Sequence, residues 1–344
     1  MIDEAINKNR LQLMGIGAIG ILLGHSTEIV NWTDSIGRLL SYGGIGVYIF
    51  VFLSSIGLYN SLKIRGKRYK KFDFYKRRFQ RVFVPYLLIA ASWYGIKYLV
   101  IQHDVLGFFY ELSTISYWIN HQGAWYVAML IPVYLVFPWF YDWIEGGAKQ
   151  QKGSRDIKII AVGLAVLVGT FIVSVSNYQL YSHLAQIFFS VLVYIIGYYF
   201  ADKVLAGEYK GYLLSTICIV LFVVKSITPL KEIDFVSSLS RNLFAIPIIN
   251  VSTYFLAKIN SKPINDFLAF FGRHSLEMYL CNIFLIQAVK YFGVVDWFEE
   301  QGDLSGYITY SLVIIGGIIL SVMFAKLSGI VVKVVQNKNL SRSL

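Results

Sequence analysis

Charge is what this chain is short of. Only 15% of its 344 residues are Asp, Glu, Lys or Arg, while 56% are hydrophobic and 17% aromatic. A soluble domain carries about 25% charged residues, so the balance excludes an ordinary water-soluble fold and points to an integral membrane protein. Cysteine is almost absent. Cys218 and Cys281 stand alone in apolar segments, without the spacing of a metal or redox site, so neither a disulfide framework nor a metal centre is expected. Internal repeats and low-complexity tracts are missing as well. The opening MIDEAINKNR is acidic first, and no small-residue cleavage site follows the next apolar run, so it is not read as a secretory signal.

What the chain has in abundance is apolar runs. Crossing a bilayer as a helix takes about 20 such residues. Runs of suitable length are placed at 11–30, 42–59, 82–101, 124–143, 157–175, 184–201, 212–227, 239–257, 267–289 and 307–327. The expected fold is therefore an all-α bundle of about ten transmembrane helices, forming a single domain over residues 1–344 with no separate soluble domain. With the N-terminus inside, 24 of the 31 Lys and Arg fall on the inner side and six on the outer, Arg273 lying within a span. Positive residues favour the cytoplasm, so both termini of this multi-pass protein are expected there. The net charge of +11 is then topogenic, with some of it facing anionic lipid, and calls for no nucleic acid.

The first run, LQLMGIGAIGILLGHSTEIV, ends its uncharged stretch at His25. At 1.5 Å per residue, His25 lies roughly 21 Å beyond Leu11, deep in a core about 30 Å thick. A titratable group at that depth is a functional candidate by default. Glu28 shares its helix face at i+3 and is expected to hold the ring in one tautomer. A histidine at the outer headgroup level, bonded to water, is the plainer reading.

The inner loop KIRGKRYKKFDFYKRRFQR, residues 63–81, is more basic than topology requires. Lys76, Arg77, Arg78 and Arg81 head the third run, and on a regular helix Arg77 or Arg78 lines up with Arg81. Arginine forks bind phosphate oxygens in pairs, so these four residues are candidates to hold a cytoplasmic polyanion such as a nucleotide or coenzyme A. A polybasic lipid anchor is the alternative. Trp125 and Tyr126 open the fourth run beside His121, where aromatic belts are common. The ninth run carries Arg273, His274, Ser275, Glu277, Tyr279 and Asn282. The spacing predicts an Arg273–Glu277 pair at i, i+4, on a polar face turned to a cavity. Trp125, Tyr126, Ser275, Glu277, Tyr279 and Asn282 are the candidate substrate-binding residues. His103 and His183 read as ordinary surface residues.

In this order the features resemble acyltransferase family 3, the membrane-bound bacterial polysaccharide O-acyltransferase type. LLGHS is similar to its first-helix histidine, GVYIFVFLS at 46–54 to its GVDIFFVLSG, and FYKRRFQRVFVPY at 74–86 to its FYRRRxxRIxPxY. GAWYV at 123–127 resembles LWFL, and FGRHSLEMYL at 271–280 resembles LGxxSLxxYL. Met14 stands where the family usually has Arg or Lys, Tyr48 where it has Asp, Ser55 where it has Gly, and Asn282 where histidine is common.

The resemblance implies an O-acetyltransferase. The donor would be acetyl-coenzyme A, a substrate rather than a tightly bound cofactor. The acceptor would be a sugar hydroxyl of an envelope glycan or its lipid-linked precursor, His25 acting as general base or nucleophile. Membrane lipid is the other expected partner, and a homo-oligomer is left open. A transporter or an inactive assembly subunit of a glycan export machinery are the readings from other classes, although the paired broken helices of many transporters are not found.

Overall fold

The computed structural model of the chain describes residues 2–66, 69–146, 153–259, 261–294 and 304–341. Lys67 and Arg68 of the basic loop, and Lys149 and Lys152 of a later inner loop, lie outside the described residues. Among those described, all regular structure is helical, which suits a bilayer, where the backbone must satisfy its own hydrogen bonds.

In chain order the helices are α1 (Ile2–Lys8), α2 (Arg10–His25), α3 (Asp34–Ser41), α4 (Gly46–Lys63), α5 (Lys71–Arg78), α6 (Val84–Tyr94), α7 (Val105–Leu112), α8 (Ile115–Asn120) and α9 (Trp125–Glu145). They continue as α10 (Ser154–Ser176), α11 (Tyr178–Ala206), α12 (Tyr212–Ile227), α13 (Asp234–Leu243), α14 (Ala245–Ile259), α15 (Lys262–Arg273), α16 (Ser275–Tyr291) and α17 (Leu304–Ser341).

Among the described residues, seven continuous helices are long and apolar enough to cross a membrane: Ser35–Lys63, Lys71–Ile101, Trp125–Glu145, Ser154–Ser176, Tyr178–Ala206, Asp234–Ile259 and Ser305–Gln336. They fall on seven of the ten expected runs. The other three correspond to α2, α12 and α16, of 16, 16 and 17 residues. At 1.5 Å per residue these rise only about 24–26 Å, short of a core about 30 Å thick. Local chemistry shortens two of them. α2 gives way to a 3-10 turn at Ser26, and the ninth run breaks at His274, which leaves the helical region (φ −104°, ψ 14°).

The chain forms two compact units, interleaved in sequence. The first comprises Met1–Ile21, Tyr42–Tyr69 and Val136–Arg273. Here α11 packs along α4 and α10, and α1 lies against α11 and α14. Asn177 caps α11, its Oδ1 accepting from the Leu180 N–H at 3.0 Å, as Asn does at helix starts. Arg155 ties α10 to its neighbours, with Glu145 at 2.9 Å and Asp202 at 3.4 Å. Backbone approaches are close enough to exclude side chains. A Cβ at Gly15 would strike the Leu268 carbonyl, one at Gly272 the Leu11 carbonyl, and one at Gly46 the Gly17 carbonyl. Small residues permit such helix contacts in membranes.

The second unit comprises Leu22–Ser41, Lys70–Leu135 and His274–Leu344. Its core is the trio α6, α16 and α17. The α7–α8 hairpin, expected as an outer loop, folds back along α6. The Tyr86 hydroxyl donates to the Leu112 carbonyl at 3.1 Å, and the Tyr98 hydroxyl to Glu111 Oε1 at 3.2 Å.

Candidate active site

All the residues singled out for chemistry lie in the second unit. The end of α2 is built locally. Thr27 donates to the Gly24 carbonyl at 2.9 Å and Ser26 to the Leu23 carbonyl, so the hydroxyls cap carbonyls that a continuing helix would have used. The Trp32 indole N–H then donates to Ser26 Oγ at 2.9 Å. Beyond the turn, Ile29 and Val30 are buried against Ile286, Tyr310 and Val313. His25 is thereby held, partly buried, between an apolar anchor above and the helix below.

Its ring is oriented by α16. Nδ1 of His25 lies 2.7 Å from Oδ1 of Asn282. The amide oxygen only accepts, so Nδ1 carries a proton, and in the neutral ring Nε2 keeps its lone pair. Sequence reading assigned this task to Glu28. Glu28 is instead ion-paired with Lys290 at 2.8 Å, on the half-exposed side of the turn. The physical reason is the 3-10 turn, which ends the regular i, i+3 register that would have stacked Glu28 beside the ring. Asn282 is fully buried and also bears on the Tyr310 hydroxyl, which donates to the Leu22 carbonyl. Asn282 thus ties His25 to α16, and the Tyr310 hydroxyl ties the end of α2 to α17. Tyr279 lies 6.3 Å from the His25 ring and 5.7 Å edge-on from Tyr126, next to Trp125. Asn282 and Tyr279 therefore flank the histidine, and Tyr126 and then Trp125 continue the aromatic run from Tyr279, all four as candidates for acceptor binding.

Ser275 and Glu277 belong elsewhere on the same helix. Arg273 and Glu277 sit in different helices, because of the break at His274, so the expected i, i+4 spacing does not hold. The charges that bear on Glu277 are His274 and Arg81. Glu277 lies five residues before Asn282, a rise of roughly 7.5 Å along α16. One helix thus carries, in order, a carboxylate facing the basic cluster, the amide that orients His25, and the lysine that pairs Glu28.

The arginines are not on one regular helical face. α5 ends at Arg78, and residues Phe79–Phe83 form a π turn, with the Val84 N–H reaching back to the Phe79 carbonyl. Pro85 has no N–H, and its ring crowds the carbonyl four residues earlier, that of Arg81; widening the turn relieves the clash. Arg77 and Arg78 are half-buried, Arg78 lying 5.6 Å over the Phe74 ring, while Lys76 and Arg81 are exposed. The donor set remains three guanidinium forks and an ammonium within six residues, chemistry that suits the phosphates of a coenzyme A.

Sequence reading missed Tyr310, Lys290 and Glu111. Lys290 counted only as an outer charge, and Tyr310 is one of 25 tyrosines. Glu111 is 5% exposed in a hairpin read as a loop. Around it, Thr114, His121 and Gly123 take positive φ of 65°, 58° and 88°. At Gly123 a Cβ would sit 3.1 Å from the Tyr94 hydroxyl, so glycine leaves room for the Glu111–tyrosine cluster just ahead of Trp125. The usable signal was a lone glutamate in an otherwise aromatic stretch. Among the described residues, no three His, Cys, Asp or Glu side chains are grouped to hold a metal ion.

The arrangement supplies an imidazole oriented through Nδ1, which in its neutral form offers Nε2 as a base, with an aromatic run beside it and, bearing on Glu277 of α16, a basic cluster. It is suited to taking a proton from a hydroxyl beside an electrophile delivered from the basic end. Set against known protein families, residues 13–326 match the model of the acyltransferase domain of family 3. No curated protein and no solved structure matches the chain.

Proposed function

The chain belongs to acyltransferase family 3, and from that premise we propose that this multi-pass membrane acyltransferase is an O-acetyltransferase. It moves an acetyl group from cytoplasmic acetyl-coenzyme A to a sugar hydroxyl of an envelope polysaccharide or its lipid-linked precursor. The observation that carries this reading is the His25–Asn282 hydrogen bond of 2.7 Å. With Nδ1–H committed to Asn282, Nε2 takes the proton of the acceptor hydroxyl as its oxygen attacks the thioester carbonyl. The C–S bond then breaks, and the imidazolium returns that proton to the departing thiolate. Lys76, Arg77, Arg78 and Arg81 hold the donor's phosphates, and Trp125, Tyr126 and Tyr279 form the apolar surface on which the sugar ring rests.

The test is mass spectrometry of envelope glycans from cells with and without the protein, together with transfer of labelled acetyl from acetyl-coenzyme A in membranes containing it. Gain of an acetyl mass on one glycan, dependent on the protein, is the expected result. Unchanged glycans and no labelled product would overturn the reading and leave the transporter and assembly-subunit readings standing.

The mechanism needs the basic cluster on the cytoplasmic side. We propose ten spans, adding α2, α12 and α16 to the seven longer helices, with both termini inside in the plasma membrane of a bacterium. The charge asymmetry supports this orientation. Both natural cysteines are buried, so introduced ones report cleanly. A membrane-impermeant maleimide is expected to label His103→Cys and to miss Lys63→Cys in intact cells, both positions being exposed. The reverse pattern would place the arginines out of reach of any cytoplasmic donor.

A further inference from the structure

A second basic site lies in the first unit, among residues that take no part in the proposed transfer chemistry. Lys225 sits in the last turn of α12 and is only 8% exposed. Among the described residues it has no ion pair, and the charge that bears on it is another cation, Arg241 of α13. The helix geometry brings them together. α12 and α13 form a hairpin through the short turn Pro229–Glu232, and α13 packs on α12. Across that seam the Phe222 and Phe244 rings meet at 4.5 Å. Lys225 is three residues beyond Phe222 and Arg241 three before Phe244, so each lies on its ring's helix face. Because the helices run in opposite directions, both steps lead toward the connecting turn.

Some of the charge is offset. The Lys225 ammonium lies 5.3 Å from the Phe222 ring centroid, a cation–π contact, and the carbonyl end of α12 favours a cation in its last turn. Neither offsets a second positive charge beside the first. Glu232 of the turn is exposed and makes no ion pair among the described residues, while Asp234, the first residue of α13, accepts from the Tyr178 hydroxyl. A buried ammonium without an ion pair among the described residues, with a second cation beside it, is complementary to an anion such as a phosphate.

We propose that Lys225 and Arg241 form a phosphate-binding site at the α12–α13 turn. Two sources share that chemistry: a glycerophospholipid headgroup from the surrounding leaflet, and a sugar phosphate carried by a glycan. The site is distinct from acyl transfer and does not depend on it.

The experiment uses full-length protein in a phosphate-free maltoside detergent. One arm titrates glucose 1-phosphate by calorimetry; the other counts phosphatidylglycerol molecules retained in native mass spectra. Lys225→Met and Arg241→Gln are each expected to weaken binding at least tenfold in one arm, with the melting temperature of Arg241→Gln unchanged. Loss confined to the first arm assigns a sugar phosphate, and loss confined to the second a lipid headgroup. If both variants bind both probes as the wild type does, or the wild type binds neither, the site does not exist. Arg241 is exposed, so its variant still decides the matter if Lys225→Met does not fold.

Discussion

Replacing His25 by Ala is expected to lower acetyl transfer by about 10²–10⁴-fold at matched expression, the range that positioned acid–base groups contribute. Asn282→Ala should do less. A neutral hydrogen bond contributes about 0.5–1.5 kcal/mol, which corresponds to roughly 2- to 12-fold in rate. The Asn282 loss should fall on kcat and leave the KM for acetyl-coenzyme A unchanged, because the amide touches the ring and not the donor. His103→Ala and His183→Ala should leave transfer intact. The measurement is initial-rate transfer of labelled acetyl in membranes. Near-normal transfer by the His25 variant would sink the mechanism. A fall in Asn282→Ala as deep as that of His25→Ala would show that the amide acts on substrate directly.

The donor site carries the second large expectation. Changing Arg78 and Arg81 together to Gln should weaken binding of coenzyme A by about 10²-fold or more. Hydrogen bonds to charged groups contribute about 1.5–3 kcal/mol each, and every 1.4 kcal/mol is tenfold in affinity. Lys63 and Lys70 are exposed in the same loop, and their double change to Gln removes as much charge. A lipid anchor would respond equally to either pair, at about 1 kcal/mol per residue near an anionic surface. Gln is chosen over Glu because Glu277 already faces Arg81, and a second carboxylate would add repulsion unrelated to the ligand. For the same reason Glu277→Gln should preserve or tighten binding, since it removes a charge that competes with the donor's phosphates. Calorimetry on detergent-purified protein reads all three variants, with dephosphorylated coenzyme A to show whether the 3′-phosphate takes part. Equal binding by the two double variants would return the loop to a topological role.

These expectations draw on different depths of information. The membrane class, the helical fold and the position of His25 at the end of an apolar run follow from composition and from the rise of a helix. Both are local properties, so the linear chain displays them. The basic head of the third run is legible for the same reason, and so is the order of the family-like segments. Spacing arguments hold only while the helix stays regular. They fail at the π turn of Phe79–Phe83 and at the break at His274, where Pro85 and a non-helical backbone change the register. Glu277 then parts from Arg273 and faces Arg81.

The tertiary structure alone decided what His25 touches. Its partner Asn282 lies 257 residues further along the chain and stands out in the sequence only as a missing histidine. No local pattern records a contact made between helices, because apolar periodicity fixes which face is buried and leaves open which neighbour covers it. Lys290 is another instance: an outer charge by sequence, it pairs with Glu28 and leaves the ring to the amide. The place of His25 at the end of an apolar run was written in the first 25 residues. The proton's place on the ring was settled only when α16 packed against the end of α2.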